Sequence, residues 1–97
     1  QQVDYVIAAG ILGMKMQASE EEWKNYCLQT LNQLWALSRQ GMAFNSLTIY
    51  SDREKMRPDL YYADPCFLFD YCKKNFSRNV ALLHDYNFYE FTILVRK

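Results

Sequence analysis

The sequence predicts an α+β domain, on three observations. A capped amphipathic helix occupies about 20–40, an alternating apolar and polar run covers about 45–51, and two β-rich runs at about 79–85 and 88–96 close the chain. Ninety-seven residues are enough for one core and leave no room for a second. The composition is 51% hydrophobic and 16% aromatic, which fills such a core and leaves aromatic surface for a partner.

In chain order, residues 1–17 read QQVDYVIAAGILGMKMQ, with Val3, Val6, Ile7, Ile11 and Met14 spaced by three and four. That spacing predicts a first helix over about 3–16. Gly10 and Gly13 weaken it by about 1 kcal/mol each relative to alanine, so it depends on packing, and a leading strand is the alternative.

Ser19-Glu20-Glu21-Glu22 is a capping box that sets three carboxylates at the positive end of a helix dipole. Behind it Trp23, Cys27, Leu31 and Leu34 recur on one face, widened by Leu28 and Trp35, while Lys24, Asn25, Gln29, Asn32 and Gln33 look outward. The helix ends at Gly41 in this reading and spans ~32 Å at 1.5 Å per residue. In FNSLTIYS, Leu47 and Ile49 alternate with Ser46, Thr48 and Tyr50 as in a half-buried strand, and DREKMRP is an exposed loop.

Residues 59–72, DLYYADPCFLFDYC, carry two incompatible signals. Asp64 before Pro65 is a helix start, with Phe67, Leu68, Tyr71 and Cys72 as an apolar stripe and Lys73 and Lys74 in the last turn. The density of Tyr, Phe, Leu and Cys favours a strand over 60–71. KKNFSRN is a polar connection. In the closing hairpin, with Tyr86 and Asn87 at the turn, the face carrying Tyr89, Phe91, Ile93 and Val95 is expected to meet the helices, opposite Phe88, Glu90, Thr92 and Leu94.

Charge and motif content argue against several functions. Lys plus Arg and Asp plus Glu both number 11, so no overall field favours nucleic acid or an acidic membrane, and charge does not oppose self-association. Lys73, Lys74, Phe76 and Arg78 could line a nucleic-acid strand, but solvated loop charges explain them as well. The three cysteines, Cys27, Cys66 and Cys72, follow no charged leader, and a reducing intracellular compartment is the expectation. Cys66, Cys72 and His84 match no zinc spacing, so no metal is expected. The apolar run 6–13 is too short to cross a bilayer. His84 is the one histidine, and Asp85 beside it would point to the other face of a strand, so no triad forms. With Gly10, Gly13 and Gly41 as the only glycines, no loop is rich enough in glycine to cradle phosphate. A non-catalytic protein without a cofactor is the expectation, and an enzyme using Cys72 or Cys66 with His84 is the catalytic alternative.

With these elements in place, the chain from about Trp23 onward resembles the Tctex-type dynein light chains. The resemblance is carried by Trp23, Leu31 and Leu34 with Asn32 between the leucines, by FNSLTIYS, by DLYYADPCFLFD with its Cys66-Phe67 step and Asp70, and by VALLHDYNFYEFTILV. It implies two helices packed on a four-stranded antiparallel sheet and a strand-exchanged homodimer, or a heterodimer with another light chain. The strand over 60–71 would cross to the partner subunit. It also implies a dynein adaptor in the cytoplasm, on the cytoskeleton or axoneme, that binds a dynein intermediate chain or another extended peptide by β-strand addition. The edge residues would be Tyr61, Tyr62, Ala63, Cys66, Phe67 and Phe69. Pro65, the long basic connection and the glycines near the start depart from the pattern.

A size argument agrees with a crossing strand: fourteen extended residues reach ~46 Å, while a 97-residue globule measures about 34 Å across. The rival reading is an α+β subunit or nucleic-acid-binding module with a helix at 65–76, in α-α-β-α-β-β or β-α-β-α-β-β order.

Overall fold

The computed structural model describes residues 2–10, 12, 15–85 and 89–97. Its described elements are β1 (Val3–Ala8), α1 (Glu20–Leu37), β2 (Ser38–Thr48), β3 (Tyr62–Ala63), α2 (Pro65–Asn75), β4 (Asn79–Leu83) and β5 (Glu90–Arg96), with a short 3-10 turn at Arg53–Lys55. Two helices and a mixed five-stranded sheet make the fold α+β. The main strand order is β1-β2-β5-β4, and β3 continues the β1 edge beside the far end of β2.

The first correction is at the start, where the expected helix over 3–16 is a strand. Val3, Tyr5, Val6 and Ile7 are β-branched or aromatic, and Val6 and Ala8 turn inward while Val3, Tyr5 and Ile7 stay exposed. β1 runs parallel to β2, with Val6 opposite Met42 and Ala8 opposite Phe44. Its partner lies beyond α1 in the chain, so spacing within 1–17 carries no sign of the pairing. Ile11, Gly13 and Met14 lie outside the described residues, as do Tyr86, Asn87 and Phe88 of the expected hairpin turn.

α1 begins with the reciprocal cap: Ser19 Oγ accepts from the Glu22 amide at 3.1 Å, and Glu22 Oε1 accepts from the Ser19 amide at 3.0 Å. Those bonds hold the Glu22 carboxyl below its usual range. Cys27 and Leu31 are fully packed, with Trp23, Leu28, Leu34 and Trp35 around them. α1 ends at Leu37, and β2 starts at Ser38 without a loop. Gly41 therefore does not stop the helix. It lies inside β2, where an added Cβ would be 2.6 Å from the Val95 carbonyl oxygen, so its function is close approach of two strands.

The second correction concerns 60–71. Only Tyr62 and Ala63 form a strand, parallel to Leu47 and Thr48, and Pro65 opens α2. Asp64 caps that helix by accepting from the Cys66 amide at 2.9 Å and the Phe67 amide at 3.4 Å. Leu68 and Cys72 face the core, which is the stripe a helix needs. No strand over 60–71 exists to be exchanged, and eleven helical residues reach only ~16 Å, well within the longest extent of 40 Å. The four-stranded antiparallel sheet is replaced by the mixed sheet. The order β-α-β-α-β-β of the rival reading is found, with β3 added.

Both helices lie on one face of the sheet. Met42 pairs with Val95 and Phe44 with Ile93, and these side chains pack with Cys27 and Leu31 of α1 and Leu68 and Cys72 of α2. The helices also meet each other: Trp35 stacks on Phe76 at 5.4 Å, and Asn32 Nδ2 donates to the Tyr71 hydroxyl at 2.9 Å. On the opposite face Tyr5 and Ile7 are exposed, and Ile7, Ala43 and Leu94 form an apolar row.

Candidate functional site

Parallel strands joined by a helix gather their carboxyl ends on one side of an open sheet, where α/β proteins place ligands. Here that side carries the turn after β1, the end of β2 and the starts of both helices. Gly10 makes the first turn at φ 73, a conformation that glycine adopts without strain. Its amide donates to Asn45 Oδ1 at 2.8 Å, which ties the β1 turn to β2. A small pocket of about 80 Å³ lies there, lined by Ala8, Ala9, Asn45 and Thr92 among others.

At the end of β2, Thr48 Oγ1 and His84 Nε2 are 2.9 Å apart, and the Tyr50 amide also donates to Thr48 Oγ1. His84 lies between the rings of Tyr50 and Phe91, at 5.8 and 5.9 Å. A threonine therefore orients the histidine, and no carboxylate among the described residues bonds to it.

The larger site is a cleft of about 340 Å³ between the first turns of α1 and α2, lined by Glu20, Glu21 and Lys24 on one side and Asp64 and Phe67 on the other. Ile49, Tyr61 and Tyr62 form its floor. The Ile49 amide donates to the Ala63 carbonyl at 3.0 Å and anchors this floor to the end of β2. Lys24 Nζ sits 3.9 Å from the centre of the Phe67 ring. Glu20 is 3.8 Å from Lys15 Nζ. Burial pushes the Tyr61 phenol up to about 12, aided by Cys27, Glu20 and Asp64, so it keeps its proton at neutral pH.

The residues expected on a peptide-binding edge are divided between different environments. Tyr61 and Ala63 are buried, Tyr62 is half-buried, and the Tyr62 hydroxyl accepts from the Arg57 amide at 3.0 Å. Cys66, Phe67 and Phe69 belong to α2, and the Cys66 and Phe67 amides already donate to the Asp64 carboxylate, so these positions lie on a helix and not on a strand edge. Only Tyr61, Tyr62 and Phe67 come together, in the cleft. Gly10, Asn45 and Thr48 were missed as a group, since no motif links them. The three acids in the first turn of α1 and the Asp64 cap were visible as helix signals, but the clefting of one against the other was not.

The basic cluster is used locally: Lys74 pairs with Asp70 at 3.0 Å, Lys73 donates to the Arg78 carbonyl at 2.9 Å and Phe76 stacks on Trp35. That leaves little support for a nucleic-acid module. Among the described residues no group of three or more His, Cys, Asp or Glu side chains converges as a metal site. No described helix is long and apolar enough to cross a membrane.

An α+β chain with a parallel β-α-β unit and ligand-sized space at its strand ends belongs to a broad class that includes many enzymes. No protein-family model and no solved structure matches the chain. Over all 97 residues it is 56% identical to a protein of Mycobacterium tuberculosis (strain ATCC 25618 / H37Rv) named "Putative methyltransferase Rv1506c". The chain spans 58% of that protein's length. This similarity overturns the light-chain resemblance and the non-catalytic dynein adaptor built on it. The expected absence of catalysis is corrected with them, since the relative's name is that of an enzyme.

Proposed function

We propose that this chain forms part of a methyl-group-transferring enzyme and supplies one side of its ligand crevice. The observation that carries the reading is the match to a protein named as a methyltransferase along every residue of the chain. The geometry supports it: β1, α1 and β2 form a parallel crossover, and the Gly10 turn clasped by Asn45 stands at the strand ends where such sheets bind ligands.

Methyl transfer commonly draws on S-adenosylmethionine, and the pocket at the Gly10 turn does not fit that group by itself. The pocket beside Gly10 holds about 80 Å³, against the roughly 300 Å³ at which small-molecule sites begin. No glycine-rich loop accompanies it. The donor site on this reading needs further residues along the open edge of β1, and no chemical step through the donor is derived.

The test is a chimera in which this chain replaces its counterpart in the Mycobacterium tuberculosis relative. Binding of S-adenosylhomocysteine is measured by calorimetry for the relative and the chimera, with circular dichroism as the control for folding. Comparable binding by both supports the reading. A folded chimera that does not bind, beside a relative that does, refutes it.

A further inference from the structure

We propose that the cleft between the first turns of α1 and α2 is a binding site for a small organic cation, an ammonium group on an apolar body. Glu20 and Glu21 line the α1 side of the cleft beside Lys24 and Asp64 lines the other, three carboxylates to one lysine, and Tyr61, Tyr62 and Phe67 make the rest of the lining largely aromatic. Rings and carboxylates together suit a poorly hydrated cation, which gains from the ring face as well as from charge.

Two observations go beyond the acidic cluster. Tyr61 is 8% exposed and lines the cleft, yet its hydroxyl has no hydrogen-bond partner among the described residues. Among those residues no fully buried side-chain N or O atom lacks a partner, so this hydroxyl reaches an opening, and the cleft is the opening beside it. The Tyr61 ring is packed while its hydroxyl is left for solvent or a ligand in the cleft to complete. The second observation is Lys24, whose ammonium already lies 3.9 Å from the Phe67 ring centre. The chain's own cation thus occupies the face that an incoming one would take.

The positive ends of the two helices oppose a cation, each with about half a unit charge. Glu22 caps one in company with Ser19, and Asp64 caps the other, so those ends are already answered. Glu20 is shared with Lys15 at 3.8 Å, while Glu21 forms no ion pair within 4.0 Å among the described residues. Glu21 and the free face of Asp64 are the charges left for the ligand. The site stands apart from the Gly10 turn, and its binding can be measured whether or not the methyl-transfer reading holds.

The experiment is an NMR titration of the 97-residue chain, isotope-labelled at tyrosine and phenylalanine, with choline and with its neutral isostere in which carbon replaces the ammonium nitrogen. Choline should shift Tyr61, Tyr62 and Phe67 saturably, and the isostere should bind about 3-fold or more weakly. Tyr61→Phe keeps the ring and should weaken choline about 3-fold, and Glu21→Gln should weaken it as well. Lys24→Gln removes the internal competitor and should tighten choline about 2- to 5-fold, a gain that general loss of structure cannot mimic. Equal binding of the isostere overturns the proposal. So does preference for a neutral polyol such as sorbitol, competition by S-adenosylhomocysteine for the same residues, or no binding of choline.

Discussion

Two glycines show how one residue type answers different demands. Gly10 sits at φ 73 with open space where a Cβ would go, so Gly10→Ala costs only the conformational strain, about 1 kcal/mol. At Gly41 the Cβ would be 2.6 Å from the Val95 carbonyl oxygen, and the neighbour is backbone. Gly41→Ala should therefore cost more, about 2 to 3 kcal/mol, and a larger shift of the urea midpoint for Gly41→Ala than for Gly10→Ala checks the order. The cysteines separate by burial in the same way. Burial pushes the Cys72 thiol to about 12 and the Cys27 thiol to about 11 from an ordinary 9.0, whereas Cys66 is exposed. At pH 8 iodoacetamide should label Cys66 in the native chain and reach Cys27 and Cys72 only after unfolding; labelling of all three at one rate would contradict the packing. Because the folded state holds these protons more tightly, their contribution to stability is complete below pH 9.0 and is lost as pH rises toward 12. The urea midpoint should fall across that window.

At the scale of the element, local chemistry decided the helices and long-range pairing decided the strands. The reciprocal bonds of Ser19 and Glu22 start α1, and Ser19→Ala should cost about 1 kcal/mol in a denaturant titration. Asp64 and Pro65 start α2 equally locally. Asp64→Ala should fray its first turn and lower the thermal midpoint, while Asp64→Asn, which keeps a capping oxygen, should leave it nearly unchanged. The aromatic density of 60–71 suggested a strand because Tyr and Phe serve either a pleated surface or a helical stripe. What resolved it was the core, which takes Leu68 and Cys72 from one helical face. β1 was misread for the opposite reason: its spacing also suits a helix, and the parallel partner that makes it a strand lies on the far side of α1.

For the whole molecule, the sheet has one covered and one open face. Sheets with parallel pairs are usually covered on both sides. Ile7 is 81% exposed and Tyr5 60%, beside Ala43 and Leu94, on a chain of zero formal net charge. Such a surface should associate, and sedimentation of the isolated chain should show a mass that rises with concentration. Ile7→Lys should reduce that rise and leave the melting temperature within about 2 °C, because the side chain is in solvent.

The α+β class, the cap of α1 and the inward face of β5 were legible in the sequence, and the Asp64-Pro65 cap of α2 was visible as a signal although the strand over 60–71 was preferred to it. The cleft was not legible: Tyr61, Tyr62 and Phe67 drew notice as part of a strand edge for a peptide, and Glu20, Glu21 and Asp64 read only as helix-capping charges. Only the tertiary structure decided that β1 pairs in parallel, that Gly41 lets two strands approach, and that the starts of both helices face each other across one space. Each of those depends on contacts between segments distant in the chain, and hydrophobic periodicity within a segment does not encode which distant segment it will meet.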